Sequence, residues 1–326
     1  MIKTGIAGAD TPMAGELIRI LVNHPDIDLR AAFAPGHAGR KVSSIHHGLT
    51  GELDLEFSES MDPENLDVVF IDAHSEVADR FRTPGSPWSD LRVIDMSHCP
   101  SLDFEAIDMQ YGLPEINRRR LVKESNRVVV PRSIADAALV SLAPLASHLL
   151  LNAPVHISVE CPADIITEEK IEMARREIAH CLRRLQSSFE SEVTVSATPS
   201  PSDRELHLAI EIKCGVDLDE IMRLYEETYA DHSFTFATLR PMPTLEVAGT
   251  NKCLIGLTSP EPGLLRIDTV TDCRMRGGAG TAVHVLNLLF GLTERTGLAL
   301  KTNAFLRPGD TLPAAGEQIK DSHVGQ

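Results

Sequence analysis

Two stretches of the sequence carry residues whose types and spacing could do chemistry. The first is Gly5-Ile-Ala-Gly8-Ala9-Asp10-Thr11-Pro12-Met13-Ala14-Gly15, a glycine-rich turn between a short apolar strand and an amphipathic run. Backbone N–H groups of such a turn, at the positive end of a helix, can hold a pyrophosphate, which makes Gly8, Ala9, Asp10, Thr11, Pro12 and Met13 candidate nucleotide contacts. Thr11 stands where a G-x-x-G-x-x-G spacing would place its third glycine, and its β-carbon can obstruct close backbone approach. The same glycines would serve tight strand–helix packing equally well. No acid ends the second strand. Instead the chain reads Ala34-Pro35-Gly36-His37-Ala38-Gly39-Arg40-Lys41, where Arg40 and Lys41 would suit a 2′-phosphate or simply face solvent.

The second stretch is Val130-Pro131-Arg132-Ser133-Ile134, which leads into an Ala/Leu-rich helix. A nucleophilic Ser133 would need a general base, and His98, His148 and His156 are the local imidazoles, none of them in a motif. A helix N-cap is the plainer role for Ser133. The six cysteines, at 99, 161, 181, 214, 253 and 273, show no C-x-x-C spacing, which argues against a zinc site and a disulfide framework. Cys161 and Cys273 could be thiols in reserve, although lone cysteines more commonly act as small buried hydrophobes. Arg118-Arg119-Arg120 could collect an anion or form a solvated helix start.

The elements that must position these residues follow from the apolar pattern. Lys3–Ala7, Leu29–Ala34, Asp67–Asp72, Arg92–Ser97 and Arg127–Val130 read as buried strands, with a helix over Met13–Asn23 and another from about Ala135 to Leu151. That alternation implies a parallel, Rossmann-like sheet with right-handed crossovers. Beyond about residue 152 the pattern becomes antiparallel-like. In Leu206–Lys213 the residues Leu206, Leu208, Ile210 and Ile212 share one face. A helix follows Thr167 as N-cap, and Ile171, Ala174, Ile178, Cys181, Leu182, Leu185 and Phe189 recur on its apolar stripe. Gly277–Gly280 opens a last apolar helix, and the polar segment after Arg307 lacks periodicity.

The 326 residues suit two domains: a Rossmann-like unit over 1–134 plus 277–326, and an α/β unit with a mixed, largely antiparallel sheet over 135–276. Thirty-one Lys and Arg against forty-seven Asp and Glu leave −16, so nucleic acid and anionic membrane are not expected partners. No apolar run approaches a membrane span, and no export signal is visible, so a cytoplasmic protein is expected.

GADTPMAGELIRILVNHP (8–25), YGLPEINRRR (111–120), VPRSIADAAL (130–139), GTNKCLIGL (249–257) and RGGAGTAVHVLNLLFGL (276–292) fall in order along the chain. Together they resemble the N-acetyl-gamma-glutamyl-phosphate reductase family and its relatives acting on an N-succinyl substrate. The resemblance implies an NADPH-dependent reduction of an acyl phosphate to a semialdehyde in arginine biosynthesis. It implies a dimer or tetramer, with NADP held by Gly8–Met13 and near Gly36, where the family has Ser-x-Ser. It also implies a substrate phosphate at Arg204, in place of the family's Pro-Arg-Gly.

The chain departs from the family where the chemistry resides. Ser133 stands at the family's cysteine in Asn-Pro-Gly-Cys, and Arg132 stands at the glycine. Ala174 stands at the second His of His-x-His-x-Pro-Glu-Ile, whose end aligns with Glu177-Ile178. A thiolate displaces phosphate readily, whereas a hydroxyl needs a base and gives an oxygen ester, a poorer hydride acceptor. Arg132 is expected to fill the cleft, and Asp203 and Glu205 to weaken Arg204. The expectation is an impaired or inactive relative. The alternative is a scaffold, regulatory or metabolite-binding protein that pairs with an active reductase.

Overall fold

The computed structural model describes residues 1–72, 79–81, 83, 91–97, 102, 108–239 and 244–302. Seven parallel strands form the first sheet: β1 (Ile2–Ala7), β2 (Ile27–Phe33), β3 (Phe57–Ser58), β4 (Val68–Ile71), β5 (Arg92–Asp95), β6 (Gln110–Tyr111) and β7 (Arg127–Val129). Their spatial order is β3-β2-β1-β4-β5-β7-β6, so the connection direction switches between β1 and β4. Helices cover both faces, which is why these strands read as unbroken apolar runs. Val69 and Ile71 enter one core with α3 (Ser133–Ser147), while Val68 and Phe70 enter the other with α1 (Pro12–Leu21) and α6 (Ala279–Leu289). Between β6 and β7 lies α2 (Pro114–Glu124).

The second sheet is mixed. It contains β8 (Val155–Cys161), β9 (Val193–Pro199), β10 (Glu205–Lys213), β11 (Thr235–Thr238), β12 (Cys253–Glu261) and β13 (Leu264–Asp272) in the order β11-β12-β13-β10-β8-β9. The β8–β9 and β11–β12 pairs are parallel and the other three antiparallel. Along β8, Val155, Ile157, Val159 and Cys161 are buried while His156, Ser158 and Glu160 are exposed. The buried face continues the core begun by α3 and receives α4 (Glu168–Leu185) and α5 (Leu218–Tyr229). Thr167 caps α4 by accepting from Lys170 N at 3.2 Å, as its sequence position predicts.

Pro144 sits inside α3, where it removes the hydrogen bond that residue 144 would donate to Val140. That carbonyl instead accepts the Tyr229 hydroxyl, and the next one, of Ser141, accepts Tyr225. Two tyrosines of α5 thus satisfy the backbone that the proline disturbs and fix α5 against α3.

Several boundaries shift from the sequence reading. The long helix begins at Ser133 and ends at Ser147, before the Leu149-Leu150-Leu151 apolar run. Leu149 takes a φ of +60°, which ends the helix. Arg118–Arg120 lie within α2, not at a helix start. The segment after Arg307 lies outside the described residues, as do His98, Cys99 and Ser101.

Candidate functional site

The carboxyl ends of the parallel strands, at the β1/β4 switch point, are where open α/β sheets take ligands. The glycine turn, Asp72, Ser97 and Ser133 all follow such ends. Gly8 has a φ of +86°, a conformation that favours glycine, and its N–H and that of Ala9 both donate to Phe33 O at 3.0 Å. Thr11 is the N-cap of α1, its hydroxyl oxygen accepting from Ala14 N at 3.0 Å, and Pro12 occupies the first helical turn. Thr11 therefore closes the turn in place of a glycine. Gly15 is explained by a residue far along the chain. The His46 ring lies where a β-carbon would stand, and its Nε2 is 2.7 Å from Ala9 O.

The charge around this turn is acidic. The Thr11 hydroxyl donates to the carboxylate of Asp72, which ends β4 and also faces Ala14 N–H. Burial pushes the Asp72 carboxyl up to about 7, with Asp95 and Asp10 adding to the rise and the Thr11 and Ala14 hydrogen bonds opposing it. Asp10 lies 3.6 Å from His37 Nε2. Gly36 is exposed on a 3₁₀ turn over Pro35–His37, Met13 packs against Gly278, and Lys41 is engaged by Asp54 at 2.6 Å. The N–H groups of Gly8, Ala9, Ala14 and Gly15 are thus engaged within the chain, and the anion position at the start of α1 already holds the Asp72 carboxylate.

Asp95 and Ser97 serve the backbone. Asp95 Oδ1 accepts from Ser97 N at 2.9 Å and Ser97 Oγ at 2.6 Å, closing the turn after β5.

At the start of α3 the capping expectation is corrected. Arg132 is the N-cap residue, with extended backbone and no side-chain cap, and Ser133 is the first helical residue. The chain enters the helix one residue earlier because Asp136 N already bonds Arg132 O at 2.7 Å. Ser133 is half-buried, and its hydroxyl has no hydrogen-bond partner among the described residues. His148 lies past the far end of α3, bonded to Pro144 O, and His156 pairs with Thr194 on the open face of the second sheet. Ala174, at the family's histidine position, is buried on α4. Cys161 and Cys273 are buried too, which pushes their thiols up to about 11 and about 12.

Arg132, expected to fill the cleft, is paired within the chain. Its Nη1 lies 2.9 Å from Glu177 Oε2, while Arg132 N and the Tyr111 hydroxyl donate to Glu177 Oε1. Burial holds Glu177 above the usual carboxylate range against the pull of Arg132 and Tyr111. Across from it, Gly277 has a φ of +62°, and a β-carbon there would collide with the backbone of Ser133.

Arg204 is also engaged, by different acids from its sequence neighbours. Its Nε donates to Asp272 at 2.8 Å, and Nη1 and Nη2 donate to Glu16 at 3.2 and 3.0 Å. These contacts hold the guanidinium more firmly protonated and tie α1 to the second sheet. Arg276 is fully buried between Asp136, at 2.9 Å, and Glu115, at 2.8 Å. Sequence reasoning missed Asp72, Glu16 and Glu177 as partners. The one available signal was an acid ending each of two apolar strands, at Asp72 and Asp95.

Among the described residues no group of three or more His, Cys, Asp or Glu could hold a metal, and no helix is long and apolar enough to cross a membrane.

The parallel sheet with its glycine turn, joined to a mixed sheet through α3, gives the two-sheet fold of the semialdehyde dehydrogenases. The family model "Semialdehyde dehydrogenase, NAD binding domain" matches residues 3–124. Solved aspartate-semialdehyde dehydrogenases share the fold. The Vibrio cholerae type II enzyme complexed with ASA superposes with a TM-score of 0.70 at 14% identity, covering 89% of this chain and 98% of the other. The probable enzyme from Pseudomonas aeruginosa gives 0.67 at 16%, with the same coverage. Closer in sequence is the N-acetyl-gamma-glutamyl-phosphate reductase of Parabacteroides distasonis, 35% identical over 94% of this chain and 100% of its own. That of Flavobacterium johnsoniae is 32% identical over the same shares. The chain belongs to the N-acetyl-gamma-glutamyl-phosphate reductase family, whose members bind NAD(P).

Proposed function

We propose that this chain is a non-catalytic member of its family, one that keeps the two-sheet architecture and self-association but not the acyl-phosphate reduction named for its relatives. The observation that carries the reading is Ser133. It is a hydroxyl in the first turn of α3 with no described base in hydrogen-bonding contact, beside an arginine already paired with Glu177. A cysteine there would be partly ionised at neutral pH, whereas an unassisted serine hydroxyl is not. The acids at Arg204 and Arg276 support the same reading, since each cation that could receive a substrate phosphate has its charge met within the chain.

NADP would supply hydride in the relatives' reaction. Here Asp72 and Asp10 would oppose its phosphates. Self-association as a dimer or tetramer, and pairing with an active reductase, extend the proposal from the family resemblance.

The test is NADPH oxidation with N-acetyl-gamma-glutamyl phosphate and its N-succinyl counterpart, beside the Parabacteroides distasonis enzyme. No turnover above background is expected. Rates comparable to that enzyme would overturn the proposal, and their loss in Ser133→Ala would assign the chemistry to Ser133. Light scattering should show a dimer or tetramer, and a monomer at micromolar concentration would remove the self-association part.

A further inference from the structure

The edge strands of the two sheets differ in how far they could accept another strand. β3 and β6, at the edges of the parallel sheet, are two residues long. β11, at one edge of the mixed sheet, is four residues long, and its Thr235 is buried with the hydroxyl on Glu115. β9, at the other edge, runs for seven residues, Val193-Thr194-Val195-Ser196-Ala197-Thr198-Pro199, in unbroken register with β8. Short length, charges, prolines and bulges are the usual means of keeping an edge from pairing. Between Val193 and Thr198, β9 has none of them.

The direction of its backbone groups follows from the parallel pairing with β8. Val155 N donates to Glu192 O at 2.9 Å, and Ser200 N donates to Cys161 O at 2.8 Å. The even-numbered residues of β9 therefore bond β8, and the odd-numbered ones turn N–H and C=O outward. Val193 is buried and Pro199 has no N–H, which leaves Val195 and Ala197 to meet a partner strand. Both are half-buried, with side chains packed on the core, and no described residue bonds their outward N–H or C=O.

These groups complement a second copy of themselves. Antiparallel pairing of two β9 strands about a two-fold axis at Ser196 sets Val195 opposite Ala197, and each such pair exchanges both of its hydrogen bonds. On the open face Ser196 then meets Ser196 and Thr194 meets Thr198, hydroxyl and β-branched pairs that suit a sheet. The nearest acid, Glu192, falls opposite Ser200. In a chain that carries −16, this register brings no like charges face to face.

We propose that β9 is an interface between two copies of this chain, joined antiparallel, edge to edge, into one continuous sheet. This names the surface for the self-association proposed above and rests on that reading.

Ser196 is exposed, so Ser196→Lys and Ser196→Glu each set like charges together at the two-fold axis without disturbing the core. By light scattering at micromolar concentration, each variant alone should lose one step of assembly, from dimer to monomer or from tetramer to dimer. An equimolar mixture of the two should restore it, because lysine then faces glutamate. In the wild type, amide exchange at Val195 and Ala197 should be at least about tenfold slower in the assembled than in the dissociated protein, a readout that needs no variant. Assembly unchanged in both variants, or equal exchange in the two states, would overturn the β9 interface and leave self-association to another surface. A wild-type monomer at every concentration would overturn both.

Discussion

The glycine turn and the start of α3 each set a glycine at positive φ near a carboxyl that burial raises, but they hold its charge in different ways. At the turn, Gly8 retains its positive φ and Thr11 caps α1. Its charge is one carboxylate, Asp72, held by a hydroxyl and a helix N–H and pushed up to about 7 by burial. At α3, a guanidinium, a carboxylate and a tyrosine are joined in one partly buried set beneath a glycine that leaves no room for a side chain. A carboxylate near neutrality can be silenced by a proton or one substitution. A packed ion pair cannot be removed without leaving its partner stranded. At the turn the charge can therefore be removed alone, whereas at α3 charge and packing go together.

Gly277→Ala should break the second region most severely. The new β-carbon meets Ser133 backbone, which cannot swing aside as a side chain would, and it sits at positive φ. Left-handed strain of about 1–2 kcal/mol and overpacking of about 1–3 kcal/mol together predict a loss of roughly 2–5 kcal/mol. Urea denaturation measures it. A loss under about 1 kcal/mol would mean that the α3 start is looser than described.

Arg132→Ala should cost less, about 2 kcal/mol, because Glu177 stays buried but keeps the Tyr111 hydroxyl. The loss should shrink at acidic pH, where Glu177 is protonated and no longer needs the cation. A loss independent of pH would assign the role of Arg132 to packing.

These partnerships explain what the sequence made legible. Strands such as Val68–Ile71, buried on both faces, and β10, alternating along its length, announce themselves in the local pattern, because burial acts on neighbouring residues. The last helix and the Thr167 cap were legible for the same reason. The charges of the cleft were not. Glu16 meets Arg204 across 188 positions, Asp136 meets Arg276 across 140, and Arg132 meets Glu177 across 45. Nothing in local spacing marks such pairs. The helix α2 was hidden by its charge: Asn117-Arg118-Arg119-Arg120 gives no continuous apolar stripe, although its Leu113-Pro114 start is a good one. Ser133 was placed at the right element but one position off in role, because the entry angle is set by Asp136 and by the close approach of Gly277.

Asp72→Asn sharpens the first region. Removing the charge while keeping an acceptor for Thr11 should raise NADP⁺ affinity about tenfold, read by isothermal titration at pH 8. In the wild type the same gain should appear as pH falls through about 7, where Asp72 takes up its proton. The stability consequence has a defined sign. The folded carboxyl sits above its ordinary 3.8, so its ionisation opposes folding fully above about 7 and not at all below about 4. Asp72→Asn should thus melt higher than wild type at pH 8, by a margin that vanishes toward pH 4. Equal NADP⁺ affinity in both proteins would place the obstacle elsewhere in the turn.

The smallest expected effect is that of Ser133→Cys. The new thiol would stand in the first turn of α3 beside Arg132, and both the helix end and the cation favour thiolate. A disulfide reagent should label it, above the wild-type background, because residue 133 is half-buried whereas the five described cysteines are buried. Reactivity alone does not make a reductase. Ala174 offers no proton acceptor, Arg204 remains between Glu16 and Asp272, and Asp72 still occupies the start of α1. Turnover of the acyl phosphate should therefore stay at background although the sulfur is present and reactive. Measurable turnover in Ser133→Cys would show that one atom separates this chain from its relatives, and that the acids at Arg204 and at the start of α1 tolerate the substrate.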